Sequence, residues 1–178
     1  MKELSLHILD IVQNSIVAGA SSIEIDIDED FVTNTLSIRI NDNGKGIPPD
    51  MLSRIIDPYT TSRTTRKVGM GLPLLNDACR FSGGKLQVNS TPKIGTEVVA
   101  TLGLDHIDRQ PLGDIQEIIL LLISANPTLD FIYQHSINGN KYVFDTKEVK
   151  EALDGLPINS PDVIRMLREM IEANLEEL

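Results

Sequence analysis

The sequence predicts an α+β fold: a two-layer sandwich with a mixed, mostly antiparallel sheet and helices on one face. Three observations lead to this prediction. Apolar residues recur at helical spacing, polar and apolar residues alternate in several shorter stretches, and these stretches come in pairs with helical segments before and between them. Paired strands separated by helices favour antiparallel hairpins that bury one face.

The elements follow in order along the first part of the chain. Residues 3–18 predict a helix of about four turns that Gly19 would end. The alternation in 21–28 and 35–40 predicts two strands paired as a hairpin. The remaining predicted elements are a short helix near 49–56, a helix near 70–81, and strands in 83–90 and 95–104 joined by a turn.

The character of the sequence changes near 105–114, so we expect a main domain over residues 1–104 and a small α/β unit over residues 105–178. This unit should contain a helix near 114–125, a hairpin centred on Asn138 and Gly139, and helices near 146–153 and 161–176. Ser160 can cap the last helix, and Pro161 suits its first position.

Composition limits the classes of function. The 178 residues are 41% hydrophobic and carry a formal net charge of −10, which disfavours nucleic-acid or anionic-membrane binding but allows a local basic phosphate site. No apolar run approaches the roughly 20 residues of a membrane span, and no leader pattern opens the chain, so we expect a cytoplasmic protein. Cys79 has no partner for a disulfide and is expected in a packed helix face.

The segment NDNGKGIP, residues 41–48, follows a predicted strand directly. Two glycines and a proline predict a loop. A calcium loop is excluded, because its template would place Arg39 at the first ligand position and Asp50, not glutamate, at the twelfth. On its own this segment is a turn.

Two polar clusters need an explanation. Asp10 and Asn14 share one face of the first helix, with His7 on nearly the same stripe; either the stripe is exposed to water or its oxygens bind a cation. The loop 57–71 concentrates basic and hydroxyl side chains before GMGL and a helix. That loop is compatible both with a phosphate site and with a solvated surface.

Taken in order, these segments resemble the ATP-binding domain of the GHKL superfamily, which includes gyrase, Hsp90 chaperones, sensor histidine kinases and MutL-type mismatch-repair ATPases. LDIVQNSIVAGASSIEIDID is similar to the N box, DNGKGIP to the first glycine box, DPYTTS to the F-box region, GMGLPLL to the second glycine box, and GGKLQVNSTPKIGTEVVATL to the closing hairpin. The resemblance covers about residues 3–104 and implies a Bergerat-type sandwich that binds ATP and Mg²⁺.

The resemblance also implies roles for residues. Asn14 would bind magnesium, Asp42 would accept a hydrogen bond from the adenine amino group, and Thr96 would contact the adenine through its hydroxyl. Asp10 is the candidate catalytic base, although the hydrolysing members carry a glutamate there. The other residues expected at the nucleotide are Gly44, Gly46, Ile47, Arg63, Arg66, Lys67, Gly69, Met70, Gly71 and Leu72.

The resemblance implies a Mg-dependent ATP-binding regulatory protein similar in size to anti-sigma-factor kinases, acting as a serine kinase of a partner protein or as a slow ATPase. The alternative is an ATP-gated interaction module with little turnover, which Asp10 and Val17 favour because a longer acid and a polar residue are expected at these positions. His7 would line the site or pack against it. We expect a regulatory protein partner, no nucleic acid and no membrane, and a homodimer is left open.

Overall fold

The computed structural model describes residues 2–55 and 71–178, and these form a mixed six-stranded sheet with the strand order β3-β4-β2-β1-β5-β6. Neighbouring strands are antiparallel except β1 and β5, which are parallel. The elements in chain order are α1 Leu4–Val17, β1 Ser22–Asp30, β2 Thr35–Asp42, α2 Pro49–Ile55, α3 Gly71–Phe81, β3 Lys85–Thr91, β4 Gly95–Gly103, α4 Ile115–Ala125, β5 Asp130–Ile137, β6 Asn140–Asp145, α5 Thr146–Ala152 and α6 Pro161–Glu176.

Alternating isoleucines build the centre of the sheet. Ile25 pairs with Ile40 and Ile27 with Ile38 across β1 and β2, and all four side chains are buried under the helices. Full burial of each such side chain contributes roughly 1.5–3 kcal/mol to folding. The predicted α+β fold with helices on one face of the sheet is therefore confirmed.

The opposite face of the sheet is polar. Arg39 on β2 contacts Asp26 at 2.6 Å, Glu97 at 2.7 Å and Glu24 at 3.4 Å. These side chains are a quarter or more exposed, so water and salt weaken each pair and the cluster adds little to stability. Its main effect is to keep this face polar, which explains the period-two pattern of the strands.

Residues 105–178 contain the predicted helices and the predicted hairpin, and they share the sheet with the preceding residues. β5 lies beside β1 in parallel register, with Ile23 opposite Phe131, and α4 contacts both α1 and α6. Leu167 of α6 is fully buried in the same core as Ile8 of α1. The division after residue 104 remains a prediction about domains.

Two local predictions have separate outcomes. Ser160 takes the N-cap position of α6 with Pro161 in the first turn, but the serine side chain makes no capping hydrogen bond. Cys79 is fully buried in α3, and burial raises the pKa of its thiol to about 12.

Among the described residues, no helix has the length and apolar character needed to cross a bilayer.

Candidate functional site

A cavity of about 510 Å³ opens beside the end of α1, between the loop 43–48, α2, the start of α3, the end of β2 and the start of β4. Its volume lies within the range of small-molecule sites. Most of the wall is apolar, with side chains such as Ile40, Met51 and Val98. The predicted site residues on the wall are Asn14, Asp42, Gly46, Ile47, Leu72 and Thr96.

Asp42 is the anchored carboxylate of this cavity. It is the last residue of β2 and only 8% exposed. The Ser15 hydroxyl donates to its Oδ2 at 2.6 Å, and the Gly44 amide donates to its Oδ1 at 2.8 Å. Each carboxylate oxygen can accept a further hydrogen bond, so Asp42 presents a fixed acceptor to the cavity.

Ser15 is not among the residues that were predicted for the site. The signal was present, because Ser15 lies on the same stripe of α1 as Ile8 and Ile11, which are buried. A hydroxyl at a core position needs a buried partner. That partner is Asp42, which is 27 residues away in sequence, and only the fold reveals the contact.

A second hydrogen-bond network holds Thr96 and the loop 43–48. The Ser90 hydroxyl accepts from the Ile47 amide at 2.8 Å, donates to the Gly95 carbonyl at 3.0 Å and lies 2.8 Å from the Thr96 hydroxyl. Ser90 has one proton, and when the Gly95 carbonyl receives it the hydroxyl of Thr96 must be the donor to Ser90. Lone pairs of Thr96 then remain as acceptors in the cavity wall. Ser90 was not predicted as a site residue.

Gly46 is required by the backbone around it. Its φ is +70°, and a β-carbon at this position would lie 2.2 Å from the Thr91 carbonyl oxygen. The loop is also tied down by bonds from the Lys45 amide to the Ala18 carbonyl and from the Lys93 amide to the Lys45 carbonyl. These contacts fix the loop against α1 and the β3–β4 turn.

Asp10 is not among the residues that line the described wall of this cavity. Its Oδ2 is buried and has no hydrogen-bond partner among the described residues. The carboxylate packs on Gly71, the first residue of α3, where a β-carbon would come within 1.8 Å of Oδ2. The N-terminal end of a helix favours an anion, which accounts for a carboxylate at this position.

His7 is buried on α1 with 1% exposure, and its Nε2 lies 2.9 Å from Oε1 of Gln110. Burial lowers the pKa of His7, while the bond to Gln110 and the charge of Asp10 act against that shift. The predicted residues Arg63, Arg66, Lys67, Gly69 and Met70 lie outside the described residues.

Comparison with known proteins assigns the family. Residues 2–106 match the profile of the histidine kinase-, DNA gyrase B-, and HSP90-like ATPases. This match covers more than half of the chain. The protein belongs to this ATPase family.

Named relatives and solved structures agree with the family. The chain is 34% identical over 110 residues to the sensor protein kinase FleS of Pseudomonas aeruginosa, covering 62% of this chain and 27% of FleS. It is 29% identical over 102 residues to the non-motile and phage-resistance protein of Caulobacter vibrioides, covering 54% of this chain and 12% of that protein. The matched region is therefore a small part of either relative.

The fold is similar to that of the Aquifex aeolicus MutL ATPase domain complexed with ADP, with a TM-score of 0.50 and 18% identity over 86% of this chain and 70% of that one. A second similar structure is the N-terminal domain of a DNA repair protein, with a TM-score of 0.51 and 20% identity over 80% of this chain and 52% of that one. The structural similarity thus extends past residue 104 of this ATPase-family chain.

Proposed function

We propose that this protein binds ATP with Mg²⁺ in the 510 Å³ cavity and acts as a regulatory protein. The observation that carries the proposal is the geometry of Asp42, which the Ser15 hydroxyl and the Gly44 amide hold at the cavity with acceptor capacity to spare. The adenine amino group is a donor that such a carboxylate can bind, whereas guanine presents a carbonyl oxygen at the same position. Asp42 would therefore select adenine.

The apolar wall suits the rest of the base. Ile40, Met51 and Val98 can cover an adenine ring, and Thr96 offers the fixed hydroxyl described above. Membership in the ATPase family, together with the ADP bound by the similar MutL domain, supports an adenine nucleotide as the ligand.

Asn14 and Asp10 would lie near the phosphates of the bound nucleotide. The Asn14 side chain lines the cavity one turn beyond Asp10. Among residues 2–55 and 71–178 no group of three or more His, Cys, Asp or Glu is arranged to hold a metal. Magnesium nevertheless fits, because it keeps several waters and needs only one or two protein oxygens beside the substrate phosphates. When bound, Mg²⁺ would neutralise phosphate charge, and Arg63, Arg66 and Lys67 are proposed to assist it.

The proposal includes transfer of the γ-phosphate to a serine of a partner, or slow hydrolysis, with Asp10 as the base. Its unpartnered Oδ2 can accept a proton, which supports this role. The contact of Asp10 with Gly71, away from the described cavity wall, instead favours the second candidate function, an ATP-gated interaction module with little turnover. The partner in either case is a protein.

Isothermal titration calorimetry with ATP and GTP, each with and without Mg²⁺, tests the proposed binding. We expect saturable ATP binding that strengthens with Mg²⁺, and GTP binding at least tenfold weaker, since one mismatched polar contact in a buried site costs about this much. Equal affinity for the two nucleotides, or no binding, would contradict the site assignment. A single-turnover assay with γ-labelled ATP then separates turnover from gating.

A further inference from the structure

The segment 109–114, which connects the end of β4 to α4, is bonded to the first turn of α1. The Leu4 amide donates to the Pro111 carbonyl at 2.9 Å, and the Ser5 amide donates to the Leu112 carbonyl at 2.8 Å. The N-cap residue Glu3 makes no side-chain capping bond. The segment therefore satisfies amides that the start of a helix leaves unpaired, and it does so from more than 100 residues away.

The same segment reaches the interior of α1 through one side chain. Gln110 Oε1 lies 2.9 Å from His7 Nε2, and His7 is 1% exposed. Because a carbonyl oxygen only accepts, this bond places a proton on Nε2. The other ring nitrogen, Nδ1, is buried and has no partner among the described residues. Within residues 2–55 and 71–178, Gln110 is therefore the hydrogen-bond partner that orients this ring.

His7 is in turn next to the phosphate side of the proposed site. Asp10 lies one turn farther along α1 on the same face, and its charge acts on the imidazole. The positive charge of the amino terminus acts in the opposite direction and disfavours the imidazolium form of His7. A positive charge on His7 would attract the Asp10 carboxylate, whereas a neutral ring does not.

We propose that Gln110 is a positioning residue that holds His7 and α1 in place. Through this contact it couples the segment 109–114 to the affinity of the site for Mg-ATP. The inference rests on the proposed function and names its regulation. The coupling follows a continuous set of contacts from Gln110 through His7 to the helix that carries Asn14.

The test compares Gln110→Ala and Gln110→Glu with a matched control, Gln116→Ala. Gln116 likewise makes a side-chain hydrogen bond of 2.9 Å, to the Arg168 carbonyl, but this bond joins α4 to α6 and does not involve α1. The ring signals of His7 are followed by NMR as a function of pH, together with the amide signals of Asp10 and Asn14. This readout needs no nucleotide.

We expect Gln110→Glu to raise the midpoint of the His7 titration, because a carboxylate stabilises the imidazolium. Gln110→Ala should shift the Asp10 and Asn14 amides, and Gln116→Ala should leave all of these signals unchanged. Unaltered His7, Asp10 and Asn14 signals in both Gln110 variants would overturn the inference, whether or not ATP binds.

Calorimetry with Mg-ATP completes the test. Gln110→Ala should weaken binding about three- to tenfold, the change that corresponds to one neutral hydrogen bond, and Gln116→Ala should not. In Gln110→Glu the affinity should vary with pH in step with the His7 titration, which loss of a merely structural contact would not produce. Equal affinities in Gln110→Ala and Gln116→Ala would overturn the coupling. No ATP binding by the native chain, with the NMR shifts present, would instead refute the proposed function.

Discussion

Replacement of Asp42 by asparagine is the sharpest single perturbation of the proposed site. The two side chains have the same shape. The amide oxygen of the asparagine can therefore still accept from the Gly44 amide, which lies 2.8 Å from Asp42 Oδ1 in the native protein. The Ser15 hydroxyl can turn to the Ile11 carbonyl, 3.3 Å away, and accept from the new amide nitrogen. We therefore expect the free energy of unfolding to fall by less than about 1 kcal/mol.

Nucleotide binding should respond far more strongly. The adenine amino group would meet an NH₂ group in place of a carboxylate oxygen, and loss of a hydrogen bond to a charged group costs about 1.5–3 kcal/mol. This corresponds to a ten- to 150-fold weaker affinity for Mg-ATP, by about 1.4 kcal/mol per tenfold. The affinity for GTP should change less, because the new NH₂ can donate to the guanine carbonyl, so the preference for ATP should decrease.

The assay is isothermal titration calorimetry with both nucleotides, controlled by a thermal unfolding curve. An unfolding curve that matches the native protein makes any loss of affinity attributable to the site. If Asp42→Asn keeps its fold and binds ATP within threefold of the native affinity, Asp42 does not contact the base.

Two further substitutions and one measurement of thiol reactivity test other contacts in the fold. Ser15→Ala removes the 2.6 Å bond to Asp42 and should lower stability by about 1–3 kcal/mol and weaken ATP binding; denaturant unfolding that matches the native protein would contradict this. Gly46→Ala forces a residue with a β-carbon to φ +70° and against the Thr91 carbonyl; we expect a loss of at least about 1–2 kcal/mol, and an unchanged melting temperature would argue against the loop geometry. The Cys79 thiol, with a pKa of about 12, should react with a thiol reagent at pH 8 only after unfolding; rapid reaction of the folded protein would show that it is not buried.

The sequence predicts the fold best where the pattern is local. Ile23, Ile25 and Ile27 alternate with acids, and this alternation alone places β1 in the sheet with one face buried. The parallel pairing of β5 with β1 could not be predicted in this way. It depends on residues 105–114 returning across α1, and on Phe131 meeting Ile23 at a sequence separation of over 100 residues.

The sequence likewise predicts some residues of the candidate site and not others. Asp42 and Asn14 can be found because they belong to ordered motifs, and both lie on the cavity wall. Ser15, Ser90 and Gln110 could not be assigned, because each matters through a side-chain bond to a residue distant in sequence or on another element. Hydroxyls and amides are common at surfaces, so residue type alone does not identify a partner; even for Ser15, whose place on the buried stripe of α1 indicates that a partner is needed, only the fold shows that the partner is Asp42.

The proposed function requires that an adenine nucleotide occupies the cavity beside Asp42. The most direct measurement is a crystal structure of the protein with Mg²⁺ and a non-hydrolysable ATP analogue. We predict the adenine amino group within about 3 Å of an Asp42 oxygen, the Thr96 hydroxyl beside the same base, and the phosphates next to Asn14. Nucleotide bound elsewhere on the chain, or bound in this cavity with its phosphates at Asp42, would contradict the account.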